Sequence, residues 1–427
     1  MKLDKYSSYL YRYMKKINNN LKIKINIEQT IICNLLNISK TIYNEKIVIP
    51  QYQIKNIKKI HDKNDYPQYY ELFKQKFPEI KTFKDFINFY TKNHHDCNLY
   101  EINNMLINQN KTINQDRYEI FHNFYNNFLS IDIIHEIESH DLKNIVIDND
   151  YYKISLYYYN IDDNNIKYEL EKIIKIINLI RAINKYYNIN KYDFYNVIIF
   201  LSNRKKYLFD KIKLISPMNI NSGATIPLYC VTVWRKEELE KVLIHELLHY
   251  IQLDNELFEN NHLCNDINNM FNIFDLTKNK INENRINESY NESVASIINM
   301  CWKSIKYNLT IQDIYETEMK FLLYQTSKII KYFNGNNGSD LFNININQTS
   351  SFLSYIILKM ILFYNINILL DFIEKINFKI KEENIKEYNN MLKIIIDKKD
   401  YITDIDNILK LKFNTRFLNK TVRMSII

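Results

Sequence analysis

Pro227 is the last proline in a chain of 427 residues, and none of the 200 residues after it is a proline. Proline breaks a helix interior by removing a backbone donor and clashing with the preceding turn. Its absence over so long a run, with Ile and Leu recurring at helical spacing, predicts a helical C-terminal lobe. Glycine, the other main breaker, is nearly absent as well: Gly223, Gly335 and Gly338 are the only three. That excludes collagen-like repeats, Gly-rich linkers, a G-x-G-x-x-G dinucleotide fingerprint and a P-loop. Alanine is as rare, at Ala182, Ala224 and Ala295. Ile, Asn, Lys and Tyr crowd the rest, as in an AT-rich coding sequence, so an isolated Asn or Lys carries little weight. A small residue that persists in such a background is held there by backbone geometry or close packing.

Before Pro227 the pattern changes. Residues 1–140 read as a mostly helical region broken at Pro50, Pro67 and Pro78, with no motif that carries chemistry. Tyr151–Tyr158 alternates as a strand, Asn165–Tyr187 has helical apolar spacing, and Val197–Leu201 and Leu228–Trp234 read as further strands. The expected class is α+β: a small mixed-sheet lobe over 141–235 followed by a helical lobe over 236–427, together one domain. An apolar fraction of 46% is ample for a large core, and 14% aromatic content argues against disorder. The charge of +8, from 57 basic and 49 acidic residues, is a mild excess without a dense Arg run, so a nucleic-acid partner is not expected. Cys33, Cys97, Cys230, Cys264 and Cys301 are odd in number and include no C-x-x-C pair, which points to a reducing, intracellular setting. The N-terminus carries no apolar signal segment. The apolar stretch Phe352–Leu370 is interrupted by Lys359, Asn365 and Asn367, so it is expected as a buried helix and not a membrane span.

The chemistry concentrates in Lys241-Val-Leu-Ile-His245-Glu246-Leu-Leu-His249-Tyr-Ile251. His245 and His249 are four residues apart, about 40° around a helix, so both imidazoles leave one face a turn apart. That spacing suits two nitrogens of a tetrahedral zinc site, and Glu246 is placed to act on a metal-bound water as general base. With nine histidines, H-E-x-x-H arises by chance in roughly one such chain in a hundred. The uncharged, apolar flanks Val242, Leu243, Leu247, Leu248 and Ile251 fit the stricter metallopeptidase form. The competing reading is a buried helix with two hydrogen-bonded histidines. His135 and His140 are five apart, about 140° around a helix, and could not share a metal from one helix. His94-His95-Asp96-Cys97 reads as a loop cluster.

A third ligand must lie elsewhere. Gln252 and Asn255 stand where a metzincin needs Gly and His, and no histidine follows His262. Asn287-Glu288-Ser-Tyr-Asn-Glu292-Ser-Val-Ala295-Ser296 offers two carboxylates at i and i+4 on one helix face. Glu292 is the favoured ligand because Ala295, three residues on, permits close helix approach, with Ser296 as a supporting hydrogen-bond partner; Glu288 is the alternative.

H-E-x-x-H followed by N-E-x-x-A on a later helix resembles the gluzincin zinc metallopeptidases. The resemblance implies a zincin core in which His245, His249 and Glu292 hold Zn²⁺ and Glu246 activates water, at the cleft between a sheet lobe and a helical lobe. Asn221–Thr225, Trp234–Glu238, Val242–His249 and Gln348–Tyr355 are also similar to uncharacterised metallopeptidase-like proteins of giant DNA viruses. The likeness covers roughly 145–370, and the 42 residues between His249 and Glu292 depart from it by an Asn-rich insertion. It further implies an edge strand that pairs with extended peptide substrate, at which Gly223 and Ala224 would allow close approach; a plain turn is the alternative there. Hydrolysis also needs an oxyanion donor, and Tyr355 is preferred over Tyr290, Tyr324 and Tyr332. The expected function is zinc-dependent hydrolysis of peptide bonds, against a catalytically inactive protein of the same fold acting as a virion or host-interaction component.

Overall fold

The computed structural model describes residues 5–17, 25–57 except 27, 129, 133, 136, 137, 139–208, 215–271, 273, 274, 285–348, 350–411, 418 and 420–426. Its architecture is mixed α+β. Six strands form one sheet in the order β1-β2-β3-β4-β6-β5: β1 (Ile54–Ile57), β2 (Leu142–Asp148), β3 (Tyr152–Tyr158), β4 (Tyr195–Phe200), β5 (Gly223–Ile226) and β6 (Cys230–Val233). β3, β4 and β6 run parallel, while β1, β2 and β5 are antiparallel to their neighbours. Period-two alternation sends the side chains to both faces. Tyr195, Val197 and Ile199 enter the main core, whereas Ile198 and Phe200 join a smaller cluster around Trp234 on the other face.

Helix α3 (Asp163–Tyr187) makes the crossover between parallel β3 and β4; Asp162 caps it by accepting from the Asn165 N–H at 2.9 Å. The lobe after β6 is helical, built on α4 (Leu239–Tyr250), α5 (Ile286–Tyr307) and α6 (Ile311–Tyr332). The described part of residues 1–140 contributes α1 (Lys5–Lys16), α2 (Thr30–Asn44) and the strand β1. β1 pairs with β2, and α2 packs on α3 and α5. The sheet therefore draws on both sides of position 140. Pro67, Pro78, the His94–Cys97 cluster and His135 lie outside the described residues.

Backbone reversals in this glycine-poor chain fall on other residues. Left-handed φ occurs at Asn160, Asn188, Asn308, Asn334 and Asn377, among others, and at none of the glycines. Asparagine tolerates that region through local hydrogen bonding, so Asn188 and Asn308 end α3 and α5 where glycine commonly would. The glycines are used for space instead.

Among the described residues no single helix is long and apolar enough to cross a membrane. The apolar stretch expected as one buried helix is a π-helical turn (Leu353–Leu358) and a short helix (Lys359–Tyr364), followed by a 95° bend into Ile366–Lys375. Lys359 within it is fully buried.

Candidate metal centre

Helix α4 lies under the β5–β6 edge and against α5, and its side chains are buried on nearly every side. His245, Glu246 and His249 project where these elements meet. His245 Nε2 and His249 Nε2 are 3.1 Å apart; Glu288 Oε2 lies 3.1 Å from the latter and 3.4 Å from the former. Tetrahedral ligands with bonds of about 2.0–2.1 Å are separated by about 3.3–3.4 Å along each edge. The three atoms therefore have the spacing of three corners of such a site. His249 Nδ1 sits 3.0 Å from Asp254 Oδ1, which favours the tautomer whose Nε2 is a lone pair. Two imidazole nitrogens and a carboxylate oxygen converging this closely share a proton or a cation, and among the described residues His245, His249 and Glu288 form a group that could hold a metal ion.

The carboxylate beside the two imidazoles is thus Glu288, and Glu292 has a different position. Glu292 is fully buried one turn further along α5, in contact with the Lys241 ammonium and 3.1 Å from that of Lys359. Its Oε2 also lies 3.0 Å from His245 Nδ1, close but off the axis of an ideal hydrogen bond. The two helices run antiparallel here, so the later carboxylate of α5 meets the earlier residues of α4. Burial alone would raise the Glu292 pKa, but Lys241 and Lys359 hold it well below the usual range. Ala295 is fully buried, and Asn291 Nδ2 donates to the His245 carbonyl at 3.0 Å, locking the two helices together.

The field of the site favours a cation. Burial opposes charge on His249, yet Asp254 and Glu288 outweigh it and hold the imidazole well above its ordinary pKa. Burial would raise Glu288, and the two histidines bring it down instead. Glu246 lies against Gly223 of β5 and lines one small cavity together with His245 and Tyr355. Its pKa is raised, chiefly by burial, while its Oε2 accepts from Thr225 Oγ1 at 2.7 Å. Gly223 explains how the carboxylate fits: a Cβ there would stand 2.5 Å from Glu246 Oε1 and 2.6 Å from its Cγ. The glycine expected to admit substrate makes room for the Glu246 side chain. β5 is an edge of the sheet among the described strands, while β6, the strand immediately before α4, lies inside it; Ala224 lies on the other face of β5, against the Trp234 cluster.

Tyr355 belongs to the π-helical turn, a local widening of the helix common at functional sites. Its ring meets the His245 ring edge-on at 5.9 Å. Burial and the carboxylates of Glu288 and Glu246 push the phenol well above its ordinary pKa, so it remains a donor. Ser354 Oγ anchors the turn by donating to the Arg285 carbonyl at 2.7 Å, at the start of α5. Tyr290 and Tyr324 are fully buried in the core, away from this arrangement, and Tyr332 packs on Phe333.

Sequence reasoning missed Thr225, Lys241 and Asp254. Lys241 had a signal: it stands four residues before His245 on the same buried face, where an ammonium needs a carboxylate. Asp254, after the end of α4, had none.

The chain is similar to an uncharacterized protein of Acanthamoeba polyphaga mimivirus, with 25% identity over 354 residues, covering 72% of this chain and 87% of that protein. No protein-family model matches the chain, and no solved structure does. The relation to a giant-virus protein is thereby distant but extensive.

Proposed function

We propose that the protein is a zinc-dependent metallopeptidase of gluzincin type, with His245, His249 and Glu288 as the ligands. The carrying observation is the convergence of three acceptor atoms at 3.1–3.4 Å beside a separate buried carboxylate. Bound zinc would supply Lewis acidity, polarising a carbonyl and making water a better nucleophile. Glu246, with its raised pKa, takes the proton of the attacking water and delivers it to the leaving amine. Tyr355 donates its hydroxyl proton in a hydrogen bond to the developing oxyanion. The open edge of β5 holds extended substrate by main-chain pairing. The intracellular setting suggested by the cysteines is consistent with Cys230, Cys264 and Cys301, which are free and buried.

The test pairs zinc analysis with a peptide-library cleavage profile. Wild-type protein should carry one zinc per chain and cleave; His245→Ala should lose the metal; Glu246→Gln should keep it and lose cleavage. Protein without zinc, or undiminished zinc in His245→Ala, would end the metal reading. Unchanged cleavage in Glu246→Gln would favour the inactive-fold alternative with a contaminating protease.

A further inference from the structure

Residues 421–426 run as an extended segment through the interior beside the metal centre, and none is more than 7% exposed. The segment begins on an antiparallel bridge, Tyr207 with Thr421, in which Leu208 N–H donates to Lys420 O at 2.8 Å and Val422 N–H to Lys206 O at 3.2 Å. Beyond it, side chains hold the main chain. Glu238 Oε1 accepts from the backbone N–H groups of Met424 at 3.0 Å and Ser425 at 2.7 Å, and Glu318 Oε2 accepts from that of Ile426 at 3.0 Å. Lys359 Nζ donates to Met424 O at 2.6 Å, Gln325 Nε2 to Arg423 O at 2.7 Å, and Lys328 Nζ to Thr421 O.

This pattern of contacts is that of a receptor reading an extended peptide: the backbone is satisfied by fixed side chains while alternate residues are inserted. Val422, Met424 and Ile426 enter the apolar core, with Arg423 and Ser425 between them. The channel wall is largely charged, and Lys206, Glu238, Glu318 and Lys359 could be rehydrated if the segment left, unlike an apolar interior. Glu238 takes a left-handed backbone conformation, φ 58°, immediately before α4. Such a backbone conformation is unfavourable for a non-glycine residue and collects at ligand clamps. The channel also reaches the metal centre: Met424 lines a cavity of about 20 Å³ together with Lys241, His245, Glu246 and Tyr355.

We propose that this channel, walled by Lys206, Glu238, Glu318, Gln325 and Lys359, is a binding site for extended polypeptide, and that residues 421–426 are its intramolecular occupant. The segment closes the approach to the metal centre and is displaceable, and the position filled by Met424 selects an unbranched apolar side chain.

Two measurements on the full-length chain test this, neither involving hydrolysis. In native amide hydrogen exchange, Val422, Met424, Ser425 and Ile426 should exchange by local release, about 100-fold or more faster than the slowest amides of α4 and α5. Exchange at the same global rate as those helices would make the segment part of the cooperative core and overturn the proposal. Second, the Met424→Asp/Ile426→Asp variant, which expels the segment, should bind a labelled Thr-Val-Arg-Met-Ser-Ile peptide about 10-fold or more tighter than wild type does, by fluorescence anisotropy. Adding Glu238→Gln should weaken that binding by about 10-fold. A folded variant without saturable binding, or one whose whole fold is lost, would equally overturn it.

Discussion

Gly223→Ala isolates the base from the metal. In a β-strand this replacement ordinarily stabilises by about 0.4–1 kcal/mol, because alanine has less freedom to lose on folding. Here the added Cβ stands 2.6 Å from Glu246 Cγ and 2.8 Å from Cδ, whereas ordinary contact begins at 3.4 Å. The Glu246 side chain must therefore retreat by about 1 Å, a misplacement that costs about 100-fold in rate. Retreat also breaks the hydrogen bond from Thr225 Oγ1 to Glu246 Oε2. A bond to a charged acceptor contributes about 1.5–3 kcal/mol, so the net destabilisation is about 1–2 kcal/mol. His245, His249 and Glu288 are untouched, so zinc stoichiometry should equal that of wild type. The assay is kcat/KM on a peptide found by library profiling, with zinc content and thermal melting measured on the same samples. Cleavage within threefold of wild type would refute the reasoning about Glu246, and loss of zinc would refute the independence of base and ligands.

Glu292→Gln leaves the buried ammonium groups of Lys241 and Lys359 facing a neutral amide, which should destabilise the metal-free protein by about 3–5 kcal/mol and lower zinc affinity about 10–100-fold. Glu288→Gln should instead abolish stoichiometric zinc with the smaller loss of stability; calorimetric zinc titration and melting of metal-free protein would reassign the ligand if the order were reversed. Lys328 gives a pH signature. Burial lowers its pKa from 10.5 to about 7, so between these values the unfolded chain binds the proton that the folded chain releases, and stability rises with pH. Lys328→Met removes that slope: its melting temperature relative to wild type should climb as pH falls from about 10 to 7 and then level off, and a pH-independent difference would show that Lys328 is not desolvated in solution.

The fold was legible where periodicity is strong. The helix expected over 165–187 is α3, three strands fall on the stretches that alternate or run apolar, and the proline-free tail is helical. β1 was not legible, because four residues without a partner in view look like any loop. The scarcity of glycine was legible as a fact, but which glycine served backbone geometry and which served close packing was not. Left-handed positions went to asparagine, and Gly223 marks a steric demand from Glu246, twenty-three residues later in the chain.

The candidate site was legible to the extent that one helix wrote it. His245, Glu246 and His249 share α4, so their relative placement follows from helix geometry. The third ligand depended on the register between two helices, which neither segment specifies by itself. Glu288 and Glu292 share a face of α5, and what separates them is the identity of the residues opposite. Lys241 on α4 and Lys359 beyond the π turn bring two ammonium groups into the interior, where an uncompensated charge costs several kcal/mol. Glu318 reaches Lys359 as well, but of the two glutamates on this face of α5 it is Glu292 that meets both ammonium groups. Glu288 is then left with the two imidazoles as its closest partners. The buried lysines, which in a lysine-rich chain carry no weight as sequence, decide which glutamate is free to serve a metal.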